Sequence, residues 1–207
     1  MKFQLFLKII LDFIFALLGL ILLSLFLIII SLLIKLDSKG PVFYRGERVG
    51  RFGKIFRIFK FRTMVPNAEK IGSIHASLND PRITKIGKFL RKYKIDELPQ
   101  LINVLKGDMS FVGPRPQVKY YVDLYNEEEK ISLTVRPGMT DYASILFINQ
   151  EDIVDEKNVD KSYQEKIEPK KNKLRVKYAE NNSIFIDAKI IFQTVSAIVK
   201  RIILKKK

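Results

Sequence analysis

The residues of this chain that best suit catalysis are two adjacent carboxylates, Asp96 and Glu97. Leu98, Pro99 and Gln100 follow them, and this order of acids, then proline, predicts the start of a helix. At a helix N-terminus one carboxylate can act as a nucleophile while its neighbour binds a metal ion. Acidic residues are also favoured at the start of any helix, so the pair alone leaves a purely structural role open.

Five cations fall near predicted turns or element ends, where they can converge on these carboxylates: Lys60, Arg62, Arg91, Arg115 and Arg136. A diphosphate substrate needs several such cations together with a divalent metal ion. Prolines on both sides of Arg115 limit its backbone freedom, which lowers the entropic cost of presenting its guanidinium to a phosphate. We therefore expect Arg115 to contact phosphate.

The composition narrows the chemistry further. Lys and Arg outnumber Asp and Glu by 37 to 22, and the net charge of +15 indicates an anionic partner, such as lipid headgroups, nucleotides, phosphorylated substrates or nucleic acid. The chain has no cysteine, which excludes disulfides, thiolate metal sites and thiol nucleophiles. Its one histidine, His75, lies in a polar stretch that we predict to be a loop. A serine-hydrolase triad and a multi-histidine metal site therefore have little support.

An uncharged run, residues 13–34, is long enough to cross a bilayer as a helix. Lys2 and Lys8 precede this run, and Lys35 and Lys39 follow it, so both flanks favour the cytoplasm. A helix that enters and leaves by one face would satisfy both flanks. We therefore expect a re-entrant membrane helix and a domain on the cytoplasmic face of a bacterial inner membrane.

The remaining chain suits one small domain. We predict an α+β fold with three parts: the membrane helix over residues 1–36, a mainly helical catalytic domain over 37–188, and a basic amphipathic surface helix over 189–207. In the last segment Ile191, Val195, Ile198 and Ile202 share one helical face among lysines and Arg201. An ordinary core helix with a basic tail is the alternative there.

Local patterns predict the elements of the domain. Residues 42–45 and 55–62 form a hairpin, joined by the glycine-containing loop 46–54. Helices follow over 83–93, from Asp96 to Gly107, and over 118–125 and 127–133. The charged stretch 151–173 reads as surface helix or loop.

An ordered set of motifs resembles the monotopic phosphoglycosyl transferases, a group of bacterial sugar transferases. The motifs are Lys60-Phe61-Arg62-Thr63-Met64, Asp80-Pro81-Arg82, Asp96-Glu97-Leu98-Pro99-Gln100, Gly107-Asp108-Met109-Ser110 and Gly113-Pro114-Arg115-Pro116. The resemblance extends over nearly the whole chain and is strongest to the small single-domain members.

This resemblance implies the transfer of a phospho-sugar from a UDP-sugar to polyprenol phosphate, with Mg²⁺ required and UMP released. It implies that Asp96 forms a covalent phospho-sugar intermediate and that Glu97 helps to bind the metal. Lys60, Arg62, Arg91 and Arg115 match family positions around the site. The implied partners are the UDP-sugar, polyprenol phosphate and membrane lipids, with no nucleic acid.

The sequence departs from the family pattern at two places. Family members commonly break the membrane helix with a Ser-Pro pair, whereas Ser24 is followed here by Leu25. Residues 140–146 also differ from the common stretch after the Arg-Pro-Gly turn, which bears on the choice of sugar. Two alternatives stay open: a membrane-tethered basic binding module without catalysis, and transfer of the sugar alone with release of UDP.

Overall fold

The computed structural model describes residues 2–68, 71, 80–149 and 158–204, so the loop predicted around His75 lies outside the described residues. The helices are α1 (Lys2–Asp37), α2 (Lys85–Lys92), α3 (Leu101–Leu105), α4 (Lys119–Val122), α5 (Glu127–Lys130), α6 (Tyr142–Leu146), α7 (Val159–Lys166), α8 (Glu168–Asn181) and α9 (Ile184–Leu204). The strands are β1 (Phe43–Tyr44), β2 (Glu47–Val49), β3 (Ile55–Arg57), β4 (Lys60–Phe61), β5 (Ser110–Val112) and β6 (Gly138–Thr140). The predicted α+β class is confirmed.

Helix α1 is long and apolar enough to cross a membrane, and most of its surface is exposed. One narrow stripe of α1 nevertheless packs against the domain along the length of the helix. The stripe has spacings of three and four residues, as expected for one face of a helix; its members are Lys8, Asp12, Ala16, Leu20, Leu23, Leu27, Ile30, Ile34 and Asp37. Helix α1 therefore lies alongside the domain.

Polar contacts tie both ends of α1 to the domain. Near the N-terminus, Lys8 pairs with Asp187 at the start of α9. The Lys8 ammonium also donates a hydrogen bond to the carbonyl of Val112 at 3.0 Å. At the other end, the backbone N–H of Ile86 donates to Asp37 Oδ2 at 3.2 Å. The two ends of the apolar helix are thus bound to one domain.

The predicted hairpin over residues 42–62 forms, but its loop assignment was wrong. Strand β1 pairs with β4, and β2 pairs with β3, both antiparallel, so three residues of the predicted loop form strand β2. The N–H of Ile58 donates to the carbonyl of Gly46 at 3.1 Å and links the two ladders. The true tip is the 3₁₀ turn Arg51–Gly53, where glycine at φ 77° accommodates the reversal.

The segment after α2 places the predicted carboxylates. Residues Ile95–Gln100 form a 3₁₀ helix that continues into α3, and Gly107 at φ 76° follows the end of α3. Strand β5 then pairs in parallel with β6, a contact that the sequence did not suggest. A Cβ on Gly138 would overlap the backbone nitrogen of Gly113, so glycine lets these two strands approach closely.

Residues 158–173, the part of this charged stretch that the structure describes, form α7 and the start of α8, so a helix with an exposed face is confirmed there. The sequence did not predict that the opposite face of α8 is polar and buried. Glu168, Lys171 and Asn172 on α8 are each only 5% exposed. They recur at helical spacing with Arg175, which is also buried, and together they face α5, α6 and α7. The burial is tolerated because Arg175 pairs with Glu168 at 2.8 Å and bonds Asn172 at 2.6 Å.

Candidate active site

Asp96 and Glu97 lie in the first turn of the 3₁₀ helix, which begins after Lys94 in the left-handed conformation at φ 58°. Asp96 is 1% exposed, and among the residues that the structure describes none hydrogen-bonds its buried Oδ1. An unpartnered buried carboxylate oxygen is costly, so such a group indicates a functional role. The position suits an atom that reacts or binds a ligand.

Lys60 bridges the two carboxylates. Its ammonium lies 2.8 Å from Asp96 Oδ2 and 3.3 Å from Glu97 Oε1. Strand β4 supplies this lysine, and β4 packs against the 3₁₀ helix. The ammonium holds the two anions together where they would otherwise repel one another.

Arg115 binds Glu97 through both ends of its guanidinium. Nη2 lies 2.5 Å from Oε1, and Nη1 lies 3.0 Å from Oε2. The backbone of Arg115 is held in turn, because its N–H donates to Asp141 Oδ2 at 3.1 Å. Burial alone would raise the pKa of Glu97, but Arg115, Lys60 and Lys94 outweigh it and hold that pKa well below its usual range. Glu97 is therefore an anion at working pH.

These groups line one cavity of about 480 Å³. Lys60, Arg91 and Arg115 join Asp96 and Glu97 in its wall. Arg91 is oriented by a hydrogen bond from its Nε to Thr63 Oγ1 at 2.9 Å. The structure thus brings five of the predicted site residues into one basic pocket, large enough for a small anionic ligand.

Arg62 and Arg136 do not line this cavity. The guanidinium of Arg62 donates to the carbonyls of Ser38 and Lys39, just after α1, and burial lowers its pKa. Arg136 pairs with Asp12 of α1 at 2.9 Å. Both arginines hold α1 against the domain, and a phosphate-binding role for them stays a prediction.

Comparison with known proteins places the chain. The model of the bacterial sugar transferase family matches residues 3–201. The chain belongs to this family. The resemblance seen in the motifs is thereby confirmed, and it covers nearly all of α1, the cavity and most of α9.

The relatives of this bacterial sugar transferase include longer proteins. It is 38% identical over 191 residues to the UDP-N-acetylgalactosamine-undecaprenyl-phosphate N-acetylgalactosaminephosphotransferase of Aeromonas hydrophila, covering 90% of this chain and 42% of that protein. It is 40% identical over 189 residues to the UDP-glucose:undecaprenyl-phosphate glucose-1-phosphate transferase of Escherichia coli K12, covering 89% of this chain and 38% of that one. A putative undecaprenyl-phosphate N-acetylgalactosaminyl 1-phosphate transferase of Bacillus subtilis is 47% identical over 121 residues, 58% of this chain and 68% of that protein. The chain thus spans less than half the length of two of these relatives.

Sequence reasoning missed a second polar group in the cavity wall of this family member. Lys171 and Arg175 of α8 line the cavity with Tyr163 of α7. The Lys171 ammonium lies 3.3 Å from the Tyr163 hydroxyl, and burial, with the charges of Arg175 and Arg115, lowers the pKa of Lys171 to about 7. The helical spacing of the polar residues on α8 was the available signal, but spacing alone does not tell a buried polar face from a solvated one.

The donor set at the carboxylates can be tested for a divalent cation. Within the described ranges, no group of three or more His, Cys, Asp or Glu side chains could hold a metal ion. Mg²⁺ is commonly bound by one or two carboxylates together with substrate phosphates and waters. The unpartnered Oδ1 of Asp96 and the adjacent Glu97 fit that pattern, provided that Glu97 gives up part of its contact with Arg115 or Lys60.

Proposed function

We propose that this protein transfers a phospho-sugar from a UDP-sugar to undecaprenyl phosphate, releases UMP, and thereby starts a glycan on its lipid carrier. The observation that carries the proposal is the buried Asp96, which lies in a basic cavity next to the Glu97–Arg115 pair. The names of the Aeromonas and Escherichia relatives, which state sugar-phosphate transfer to undecaprenyl phosphate, support the same reaction.

In the first step, an oxygen of Asp96 attacks the sugar-bearing phosphorus of the donor. A new oxygen–phosphorus bond forms to Asp96, the diphosphate bond to UMP breaks, and UMP leaves with the bonding electron pair. Lys60, Arg91 and Arg115 reduce the repulsion between the carboxylate and the diphosphate. This charge neutralisation is the main contribution of the cavity to the chemistry.

In the second step, a phosphate oxygen of the lipid attacks the same phosphorus. The bond to Asp96 breaks, its carboxylate is restored, and the lipid carries the phospho-sugar on a new diphosphate. Two successive steps spare the enzyme from holding two anionic substrates together.

We further propose that Glu97 helps to hold Mg²⁺ during the reaction. The ion would supply additional positive charge at the donor phosphates. Glu97 is held in its ionised form and lines the cavity beside Asp96, which supports this assignment. Measuring UMP release after chelation and after Mg²⁺ is restored tests it, and unchanged release in the chelator would contradict it.

We propose that α1 enters and leaves the membrane by the cytoplasmic face. The polar contacts at both ends of α1, through Lys8 and Asp37, support this topology. The mouth of the cavity would then lie at the level of the lipid headgroups, within reach of both a soluble nucleotide sugar and a lipid phosphate.

A product assay tests the reaction. The purified protein is mixed with Mg²⁺, undecaprenyl phosphate and a panel of UDP-sugars, and UMP and UDP are separated by chromatography. Wild type should release UMP, and intact-mass measurement should detect a phospho-sugar adduct that Asp96→Asn abolishes. Asp123→Asn is the matched control, because this exposed carboxylate forms a surface ion pair with Lys119. This variant should keep both UMP release and the adduct. Release of UDP would show transfer of the sugar alone and sink the proposal.

A further inference from the structure

The cavity has one wall of a different character from the rest. Helix α9 contributes Ile191, Val195 and Ile198 to the lining, and α6 with the residues after it contributes Ile145 and Ile148. These five aliphatic residues form what we call the α6–α9 slot. Arg201 holds its far end together by donating to the carbonyl of Ile148 at 2.9 Å.

The slot opens onto an apolar surface. Ile191 and Val195 line the cavity and yet are 44% and 56% exposed, so they lie at its rim. The neighbouring surface of α9 continues with the exposed side chains of Phe192, Val199 and Ile203. An aliphatic path therefore runs from the outside of α9 into the basic cavity.

The path carries no charge of its own. From residue 190 to 199 the sequence has neither acid nor base, which corresponds to about 15 Å of helix. A nucleotide sugar is polar throughout and gains nothing from such a wall, whereas a lipid phosphate needs an apolar path that ends at cations. The cations are in place at the inner end, where Lys60 and Arg115 line the same cavity.

We propose that the α6–α9 slot receives the isoprenoid chain of the acceptor and so guides its phosphate to the cationic end of the cavity. This inference rests on the proposed function, because it assigns a position to the lipid substrate of that reaction. The polar wall formed by Tyr163, Lys171 and Arg175 is left for the nucleotide sugar.

A cross-linking experiment tests the position without any turnover. The photoreactive residue p-benzoylphenylalanine replaces Ile198, which lines the slot, or Leu22 of α1, which is 82% exposed and absent from the cavity wall. Each variant is irradiated in phosphatidylcholine and phosphatidylglycerol vesicles that contain undecaprenyl phosphate. We expect at least about tenfold more undecaprenyl phosphate adduct at 198 than at 22, equivalent to a preference of about 1.4 kcal/mol. Equal yields at the two positions would overturn the proposal.

Kinetics supply the second test. In Ile198→Trp the indole should fill the slot and exclude the lipid chain. Two quantities are compared: kcat/KM for undecaprenyl phosphate, and the rate of UMP release without acceptor. The ratio of the first to the second should fall at least about tenfold. Leu22→Trp on the exposed surface of α1 should keep this ratio. An unchanged ratio in Ile198→Trp would contradict lipid binding in the slot. If wild type released no UMP, the proposed function would be wrong, and the cross-linking yields alone would decide whether the slot binds the lipid.

Discussion

Arg115 and Glu97 form a bidentate ion pair at the wall of the cavity, with nitrogen–oxygen distances of 2.5 and 3.0 Å. A planar guanidinium can reach both oxygens at once, which an ammonium cannot do. The pair keeps Glu97 ionised, and it directs the remaining positive charge of Arg115 toward the cavity. We therefore propose that arginine at this position serves both the carboxylate and an incoming phosphate.

Arg115→Lys should lower kcat/KM for UMP release by a factor on the order of 10², because one point charge replaces a two-pronged donor. The release rate is measured with the UDP-sugar that supports it best. Arg57→Lys is the matched control, since the Arg57 side chain is 65% exposed and pairs with the exposed Glu47. A variant at 115 with the wild-type rate would show that the bidentate geometry is irrelevant.

The pair between Arg136 and Asp12 fixes α1 to the domain. Arg136→Met leaves a buried carboxylate without its cation and should lower the free energy of unfolding by about 3 kcal/mol. Adding Asp12→Asn removes that charge and keeps an acceptor for the N–H of Phe111, so the double variant should recover much of the loss. Denaturant titration in detergent micelles provides the measurement.

The same two variants also examine the phosphate-binding role predicted for Arg136. If its role is structural, KM for the UDP-sugar recovers together with stability in the double variant. Recovery of stability with KM still raised would assign Arg136 to the phosphate after all.

Lys171 makes stability depend on pH. Its pKa is lowered to about 7 in the folded protein, so between pH 7 and about 10 the unfolded chain holds a proton that the folded one has released. Stability from this residue is therefore lowest below pH 7 and rises with pH above it, by up to about 1.4 kcal/mol per pH unit. From pH 7 to 9 the unfolding free energy of wild type should therefore rise relative to that of Lys171→Met.

Exposed Lys161 on α7 offers a control for this measurement. Lys161→Met changes a lysine that is 74% exposed and should give a difference that is flat over the same range. A flat curve for Lys171→Met as well would mean that Lys171 stays charged in the cavity.

Motifs in the sequence are enough to predict the convergence of Lys60, Arg91 and Arg115 on Asp96 and Glu97. These residues lie next to turns and element ends, where local signals are strong. The same local signals do not predict where Arg62 and Arg136 lie. Their partners on or just after α1 are far along the chain, 124 residues away in the case of Asp12 and Arg136.

The packing of α1 escapes prediction for a different reason. In an apolar run the residues that face lipid and those that face protein are equally hydrophobic, so no period marks the buried stripe. Only the polar residues at its ends, Lys8, Asp12 and Asp37, reveal it. Their spacing fits one face of a helix, but the partner of Lys8 is Asp187, 179 residues away. Long-range pairing of this kind has no local signature.

The contacts at the two ends of α1 predict where its N-terminus lies. If α1 crossed the bilayer, Lys8 would be on the opposite side from Asp187, and the buried pair would be broken. The chain contains no cysteine, so single cysteines can report accessibility to a membrane-impermeant maleimide. Three variants suffice: Lys2→Cys before the apolar run, Leu22→Cys near the middle of the run, and Lys54→Cys near the hairpin tip. The side chain of Leu22 is 82% exposed.

We expect cysteines at positions 2 and 54 to be labelled together in inverted inner-membrane vesicles and to be protected together in right-side-out vesicles. The cysteine at position 22 should react only after detergent is added, because lipid covers that part of the helix. Lys54→Cys is the internal control for the side of the domain. Labelling of position 2 from the opposite side to position 54 would establish a spanning helix, and the contacts of Lys8 and Asp12 with the domain could not then exist in the membrane.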